Sequence, residues 1–153
     1  MIKTRKRNKK KSRGGTINSD HINIYIKEVN PIIKFTFDNE DRIGNAEMKY
    51  NKEKTHLRIE QIWIESKYKG KGLGKFILKY LLDYAFKFKN IEKVTLEDLT
   101  QSNQFNPNKI PNHMYLKSGF IYINPNSNYD KNEMELTRER YDTVTLINNY
   151  LYK

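Results

Sequence analysis

The chain has 153 residues, enough for one domain with a real core, and no cysteine, which excludes disulfides, thiolate metal sites and a cysteine nucleophile. Its formal net charge of +11 is concentrated: residues 1–13 hold eight of the 29 Lys and Arg and no acid, leaving 21 against 18 Asp and Glu, about +3, for the remainder. No apolar run approaches the roughly 20 residues of a membrane helix, and nothing near Met1 reads as a signal peptide, so an intracellular chain without a membrane partner is expected.

The first segment in chain order is the basic tail, Lys3, Arg5, Lys6, Arg7, Lys9, Lys10, Lys11 and Arg13, closed by Gly14-Gly15. It cannot bury apolar surface, so disorder over residues 1–15 is expected. Nucleic-acid binding through residues 1–13, a nuclear address or plain solubilisation would each suit it. A domain over residues 20–138 follows. "INIYIKEV" (22–29), "IIKFTFD" (32–38) and "IGNAEMKY" (43–50) alternate at period two and read as antiparallel strands joined by short turns.

In "HLRIEQIWIES" the apolar positions are Leu57 and Ile59, then Ile62 and Ile64, so the alternation slips by one residue. That slip predicts a β-bulge around Glu60-Gln61, the alternative being a strand buried on both faces. Leu73, Phe76, Ile77, Tyr80, Leu81, Tyr84 and Ala85 then recur at helical spacing, predicting an amphipathic helix from about Gly72 to Phe88. "VTLEDL" (94–99) is the next strand, with Asp98 in phase with Val94 and Leu96. "NPNKIPNHMYLKSG" reads as a loop entering a short helix near Asn108, with Pro111 in its first turn. "FIYI" and "NEMELT" are two further strands, and Val144, Ile147 and Leu151 predict a helical extension over 139–153 that packs on the domain or on a second subunit, making a homodimer. The order implies an α+β fold with one mixed, mostly antiparallel sheet flanked by helices.

"KYKGKGLGKFIL" opens that first helix with Gly70, Gly72 and Gly74 among Lys69, Lys71 and Lys75. It fails as a P-loop, because Lys69 stands where the first glycine belongs and Phe76 follows Gly74-Lys75. It fails as a dinucleotide fingerprint, because the glycines are evenly spaced by two. What remains is either an anion site built from first-turn amides, or an ordinary glycine turn with solvated lysines.

"WIESKYKGKGLGKFIL" resembles the acetyl-coenzyme A signature of the GNAT superfamily of N-acetyltransferases, an Arg or Gln, two residues, Gly, one residue, and Gly or Ala after a bulged strand. Lys69 takes the Arg/Gln position, and Gly72 and Gly74 match. "MYLKSGF" is similar to the family's second signature at Tyr115, Gly119 and Phe120, and "NEMEL" resembles its closing strand. The resemblance spans about residues 22–138. It implies an α/β three-layer arrangement whose central strands splay to hold the pantetheine arm. It also implies acetyl-coenzyme A as co-substrate, no metal, and a diphosphate on Lys69, Gly70, Lys71, Gly72, Leu73, Gly74 and Lys75. Main-chain groups at Ile62, Trp63 and Ile64 would meet the pantetheine and polarise the thioester, and an asparagine of the 100–112 loop, assigned to Asn108 with Asn103 and Asn106 as alternatives, would contact the coenzyme.

With no cysteine, direct attack by a primary amine is expected, which requires a base. Glu60 is the candidate by its place in the signature, its plain alternative being a solvent-facing bulge carboxylate. Glu97 and Asp98 are rivals, since "TLEDLTQSNQF" resembles the acidic strand end of type B histone acetyltransferases, with Leu99 where those carry proline. Tyr115 is the candidate acid for the leaving thiolate, or else a core aromatic. His113 reads as helix surface, His21 and His56 lack metal-ligand spacing, and the Trp63 side chain reads as packing. Two departures from the family matter: only Asn30-Pro31 separates the first two strands, where relatives insert two helices that wall the acceptor site, and the loop 100–112 is longer than usual, which is why the coenzyme-contacting asparagine has alternatives. The expected acceptor is a lysine in a protein or a small polyamine. The competing reading is a nucleic-acid-binding protein that uses its tail and a non-catalytic scaffold.

Overall fold

The computed structural model describes residues 21–99 and 114–151. The basic tail, the loop 100–112 with Asn103, Asn106 and Asn108, and His113 all lie outside the described residues. Seven strands form one sheet: β1 (Asn23–Val29), β2 (Ile32–Asn39), β3 (Asp41–Tyr50), β4 (His56–Ile64), β5 (Lys93–Glu97), β6 (Ile121–Tyr122) and β7 (Glu133–Thr137). Their spatial order is β1-β2-β3-β4-β5-β7-β6. The helices are α1 (Leu73–Phe86), α2 (Met114–Lys117) and α3 (Arg138–Leu151).

Asn30 and Pro31 alone turn β1 into β2, whose register begins at Val29↔Ile32. The side chain of Asn51 closes the turn between β3 and β4, its Oδ1 accepting from the Thr55 and His56 amides at 2.8 and 2.9 Å. All pairings are antiparallel except β4 with β5. A parallel pair needs a crossover, and α1 supplies it.

Period-two alternation puts Ile33, Phe35 and Phe37 on one face of β2, fully buried. Register carries that face across the sheet through Met48, Ala46, Leu57, Ile59, Val94, Leu96, Met134 and Leu136. α1 lies on it through Leu73, Ile77, Leu78, Leu81 and Ala85, each burial worth about 1.5–3 kcal/mol for the larger side chains. Tyr80 and Tyr84 meet Phe35 edge to face, with centroids 6.2 and 5.0 Å apart. α3 packs beside α1, where Tyr141 stacks on Phe86 at 4.6 Å. The other face of the sheet is polar, carrying Lys34, Thr36, Asn45, Glu47, Arg58, Glu97 and Glu133.

Three boundaries differ from expectation. α1 stops at Phe86, because Arg138 Nη1 donates to the Phe86 carbonyl at 3.0 Å and its Nε to Ile91 O at 2.9 Å, so a guanidinium covers carbonyls that another helical turn would have used. β5 ends at Glu97, although the Asp98 amide still donates at 2.8 Å to the carbonyl of Asn132, which stands opposite it in the β5–β7 register. The strand expected over 120–123 is Ile121–Tyr122: the Phe120 amide bonds back to Tyr115 O at 3.1 Å, while the Ile123 amide still donates to Glu133 O at 2.9 Å.

Candidate active site

β4 and β5 pair only over the first part of β4, from His56↔Lys93 to Ile59↔Leu96. β4 runs on to Ile64, still paired with β3, but among the described residues no strand pairs its other edge beyond Ile59. The break coincides with a bulge. The β3–β4 register passes from Met48↔Ile59 to Glu47↔Gln61, leaving Glu60 as the extra residue.

The ladder also fixes which main-chain groups face the gap. The Glu65 amide donates to Ile43 O at 2.8 Å, and the alternation of an antiparallel pair then makes Trp63 and Gln61 the residues bonded to β3. The N–H and C=O of Ile62 and Ile64 therefore turn away from β3 into the split. Their side chains pack against the core, which holds the backbone in place.

α1 begins next to that edge. Gly72 caps it in the left-handed region at φ 80°, and Gly70 is similar at φ 75°. A Cβ on either would strain the backbone yet meet nothing within 4 Å, so the space before the helix is open. The Phe76 amide bonds to Gly72 O at 3.3 Å, and helix geometry leaves the amides of Leu73, Gly74 and Lys75 without an intrahelical acceptor. A Cβ on Gly74 would lie 3.4 Å from Met114 Sδ and 3.6 Å from Ile64 Cδ1, which places this first turn against the end of β4 and against α2. Lys69 and Lys75 are exposed, and Lys71 Nζ sits 5.8 Å from the Tyr68 ring centroid. Helix-end amides facing open space, with lysines around them, suit a diphosphate. The split beyond Ile59 suits an extended, amide-bearing arm.

The carboxylates divide between the two sides of the sheet. Glu60 and Glu97 each come one residue after the last β4–β5 pair, so they stand on the two lips where the strands part. Both are exposed and lie on the polar face. Arg58 binds between, with its guanidinium forked onto Glu133 at 2.7 and 2.7 Å and its Nε 3.9 Å from Glu60 Oε2. Asp98 lies on the α1 side, fully buried, accepting from Tyr122 Oη at 2.8 Å. Tyr115 is on that side too, against Phe120 at 6.1 Å. Burial pushes the Tyr115 hydroxyl pKa up, and the negative charge of Asp98 pushes it further. Burial, then the bond to Asp98, raises that of Tyr122.

The predicted coenzyme segment 69–75 is thus brought beside Ile62 and Ile64, whereas the main chain of Trp63, expected in the same role, is spent on β3; the predicted bases are split into an exposed pair and a buried one. One reading needs correction: Trp63 is not core packing but 42% exposed on the polar face, with the Arg42 guanidinium 5.7 Å from its ring centroid. Sequence reasoning misses Tyr122, Arg58 and Glu133. Only the period-two phase of "EMEL" could have placed Glu133 beside Glu97.

A split sheet whose free strand edge meets a glycine-opened helix defines an acyltransferase that takes its acyl group from a coenzyme A thioester. The acetyltransferase (GNAT) family matches residues 13–120, and the chain belongs to that family, whose members use acetyl-coenzyme A. Among curated proteins no sequence matches the chain. Solved structures share the fold. The spermidine/spermine N-acetyltransferase SpeG from Vibrio cholerae, in mutant form, superposes with a TM-score of 0.57 at 20% identity, covering 76% of this chain and 70% of that one. The same enzyme with CoA and spermine gives 0.54 at 21%, over 73% and 69%. Aminoglycoside acetyltransferase AAC(6')-Ib with coenzyme A gives 0.54 at 18%, over 74% and 70%.

Proposed function

We propose that the protein moves the acetyl group of acetyl-coenzyme A onto a primary amine that carries further positive charge, by direct attack. The observation that carries this reading is the parting of β4 and β5 at Glu60, with the Ile62 and Ile64 main chain facing the gap beside the open first turn of α1.

The amine approaches from the polar face. A base on that face takes a proton from the acceptor, directly or through a water, and Glu60 is assigned this role because it stands on the lip with its carboxylate exposed. Glu97 on the opposite lip draws the cationic acceptor to the mouth. As the C–N bond forms, charge grows on the thioester oxygen, and the main-chain N–H groups of Ile62 and Ile64 face it without needing to reorganise. The C–S bond then breaks and the thiolate leaves on the α1 side, where Tyr115 Oη donates its proton. A raised pKa keeps that hydroxyl protonated at neutral pH. Asp98 is buried on the leaving-group side and bonded to Tyr122, so it is assigned to positioning and not to deprotonating the acceptor.

Proteins of this fold named for polyamine and aminoglycoside substrates support a polycationic amine, and the exposed carboxylates on both lips support the same class. A lysine-rich protein segment meets the same chemical requirement. Thiol release from acetyl-coenzyme A, measured with spermidine, an aminoglycoside and a lysine peptide, tests the reading. Turnover with at least one is expected. No turnover with any, together with no change in melting temperature on adding acetyl-coenzyme A, would sink it.

A further inference from the structure

The two edges of the sheet are unlike. One ends on β6, which is two residues long. The other ends on β1, seven residues that pair with β2 without a register break, and among the described residues nothing pairs its outer side. On this strand Tyr25, Ile26 and Val29 are 59%, 40% and 61% exposed. A long, regular edge that shows apolar side chains is a template for another strand, and protein sheets ordinarily blunt such edges.

The ladder fixes what that edge offers. The Tyr50 amide donates to Pro31 O at 2.9 Å, so Pro31, Ile33 and Phe35 bond to β3, and Ile32, Lys34 and Thr36 bond to Val29, Lys27 and Tyr25 of β1. The N–H and C=O of Ile24, Ile26 and Glu28 therefore point off the edge. Their side chains lie on the α1 face, where the Glu28 carboxylate accepts from the Tyr84 hydroxyl, whereas Tyr25, Lys27 and Val29 lie on the polar face.

We propose that β1 pairs with β1 of a second copy of this chain, antiparallel about a two-fold axis at Ile26, joining two sheets into one. A two-fold axis normal to the sheet keeps like faces together, so only residues of the same face can meet. Centred on Ile26, the midpoint of the strand, the register pairs all of β1. On the α1 face Ile26 meets Ile26 and Ile24 meets Glu28, each pair exchanging both main-chain bonds from the groups that point outward. On the polar face Asn23 meets Val29 and Tyr25 meets Lys27, so the lysine that guards the edge lies beside an aromatic ring. Moving the centre one residue toward the turn puts Lys27 on Lys27, and one more puts Glu28 on Glu28. Any shift, in either direction, also leaves part of the strand unpaired. The strand complements itself best in a single register, and this singles out a second copy as the occupant. The second subunit is thus placed on β1 and not on the helical extension, and both gaps between β4 and β5 open toward one joined polar face. The inference goes beyond the acetyl-transfer reading and does not depend on it.

Sedimentation and thiol cross-linking of the full chain test it. The native chain is expected to sediment as a dimer at about 100 µM, the range of a small strand-to-strand contact. Ile26→Lys sets like charges opposite each other at the axis and should raise the dimer dissociation constant about a hundredfold or more, with the far-ultraviolet spectrum of the fold unchanged. The chain has no cysteine, so single thiols report the register. In Ile26→Cys the two Cα atoms face each other at about 5.5 Å, inside disulfide range, and mild oxidation should link most of the protein into dimers. Position 29 is the more exposed, but its two copies lie about 20 Å apart in this register, so Val29→Cys should stay unlinked. A native chain that stays monomeric, a dimer that Ile26→Lys leaves intact, or linking at position 29 in place of 26 overturns the inference, and the transferase reading stands in each case.

Discussion

The two halves of β4 share one strand but have opposite occupations. From His56 to Ile59 the strand is paired on both sides and its apolar residues are buried, as in the middle of any sheet. From Glu60 to Ile64 it keeps β3 and loses β5, and its side chains are exposed or half-buried. One extra residue separates these regimes. The bulge converts main-chain groups that would be spent on a ladder into groups available to a ligand, without uncovering the core that holds them.

The most severe test removes the boundary itself. Deleting Glu60 restores a straight register and moves every following side chain to the opposite face, so Ile62 and Ile64 lose the core and their amides lose the gap. Acetyl transfer is expected to vanish, to below about one thousandth of native, combining lost binding with the oxyanion and proton-transfer losses. Coenzyme A should no longer raise the melting temperature. Retained coenzyme binding by this variant would disprove the division of β4.

Much of that division is readable in the chain, because a phase slip between Ile59 and Ile62 has few physical causes in a strand. The helix and its glycine entry are equally legible, since 3.6-residue periodicity and positive-φ glycines are local signals. What escapes the sequence is non-local. Arg138 ends α1 from about 50 residues away, and Tyr122 holds Asp98 from 24 away. The carboxylates look interchangeable as letters. Only the fold puts Glu60 and Glu97 on one side of the sheet and Asp98 on the other, and only a sheet open on its polar face leaves Trp63 uncovered.

The paired half is expected to answer to stability alone. Leu57 is fully buried there, so Leu57→Ala should cost about 2–5 kcal/mol in a denaturant titration. The surviving folded fraction should keep a native KM for acetyl-coenzyme A. A raised KM at unchanged stability would mean the two halves are not separable.

On the leaving-group side, Tyr115→Phe keeps the ring against Phe120 and removes only the proton. A fall in kcat of about a hundredfold is expected, with KM for acetyl-coenzyme A nearly constant. Because burial and Asp98 raise the Tyr115 pKa, the native enzyme should show no loss of this acid until pH rises above the ordinary tyrosine value of 10.0. The same sign applies to folding. The raised hydroxyls of Tyr115 and Tyr122 favour the native state fully below pH 10, and that contribution fades as pH climbs through their folded values. An alkaline limb in kcat centred near pH 7, unchanged in the phenylalanine variant, would assign the acid elsewhere.

The smallest expected effect sharpens the comparison most, because it alters the boundary residue without altering the boundary. Glu60→Gln preserves chain length and therefore the bulge, and Arg58 keeps its fork on Glu133. Stability should change by less than about 0.5 kcal/mol, as for an exposed surface position. The kcat should fall about tenfold, since a water can still carry the proton to solvent from an exposed site. Glu97→Gln, across the gap, should instead raise KM for a polycationic acceptor while leaving kcat close to native. If the two variants exchange these signatures, the base and the attracting charge trade lips. The split would then be right and the direction of proton flow across it wrong.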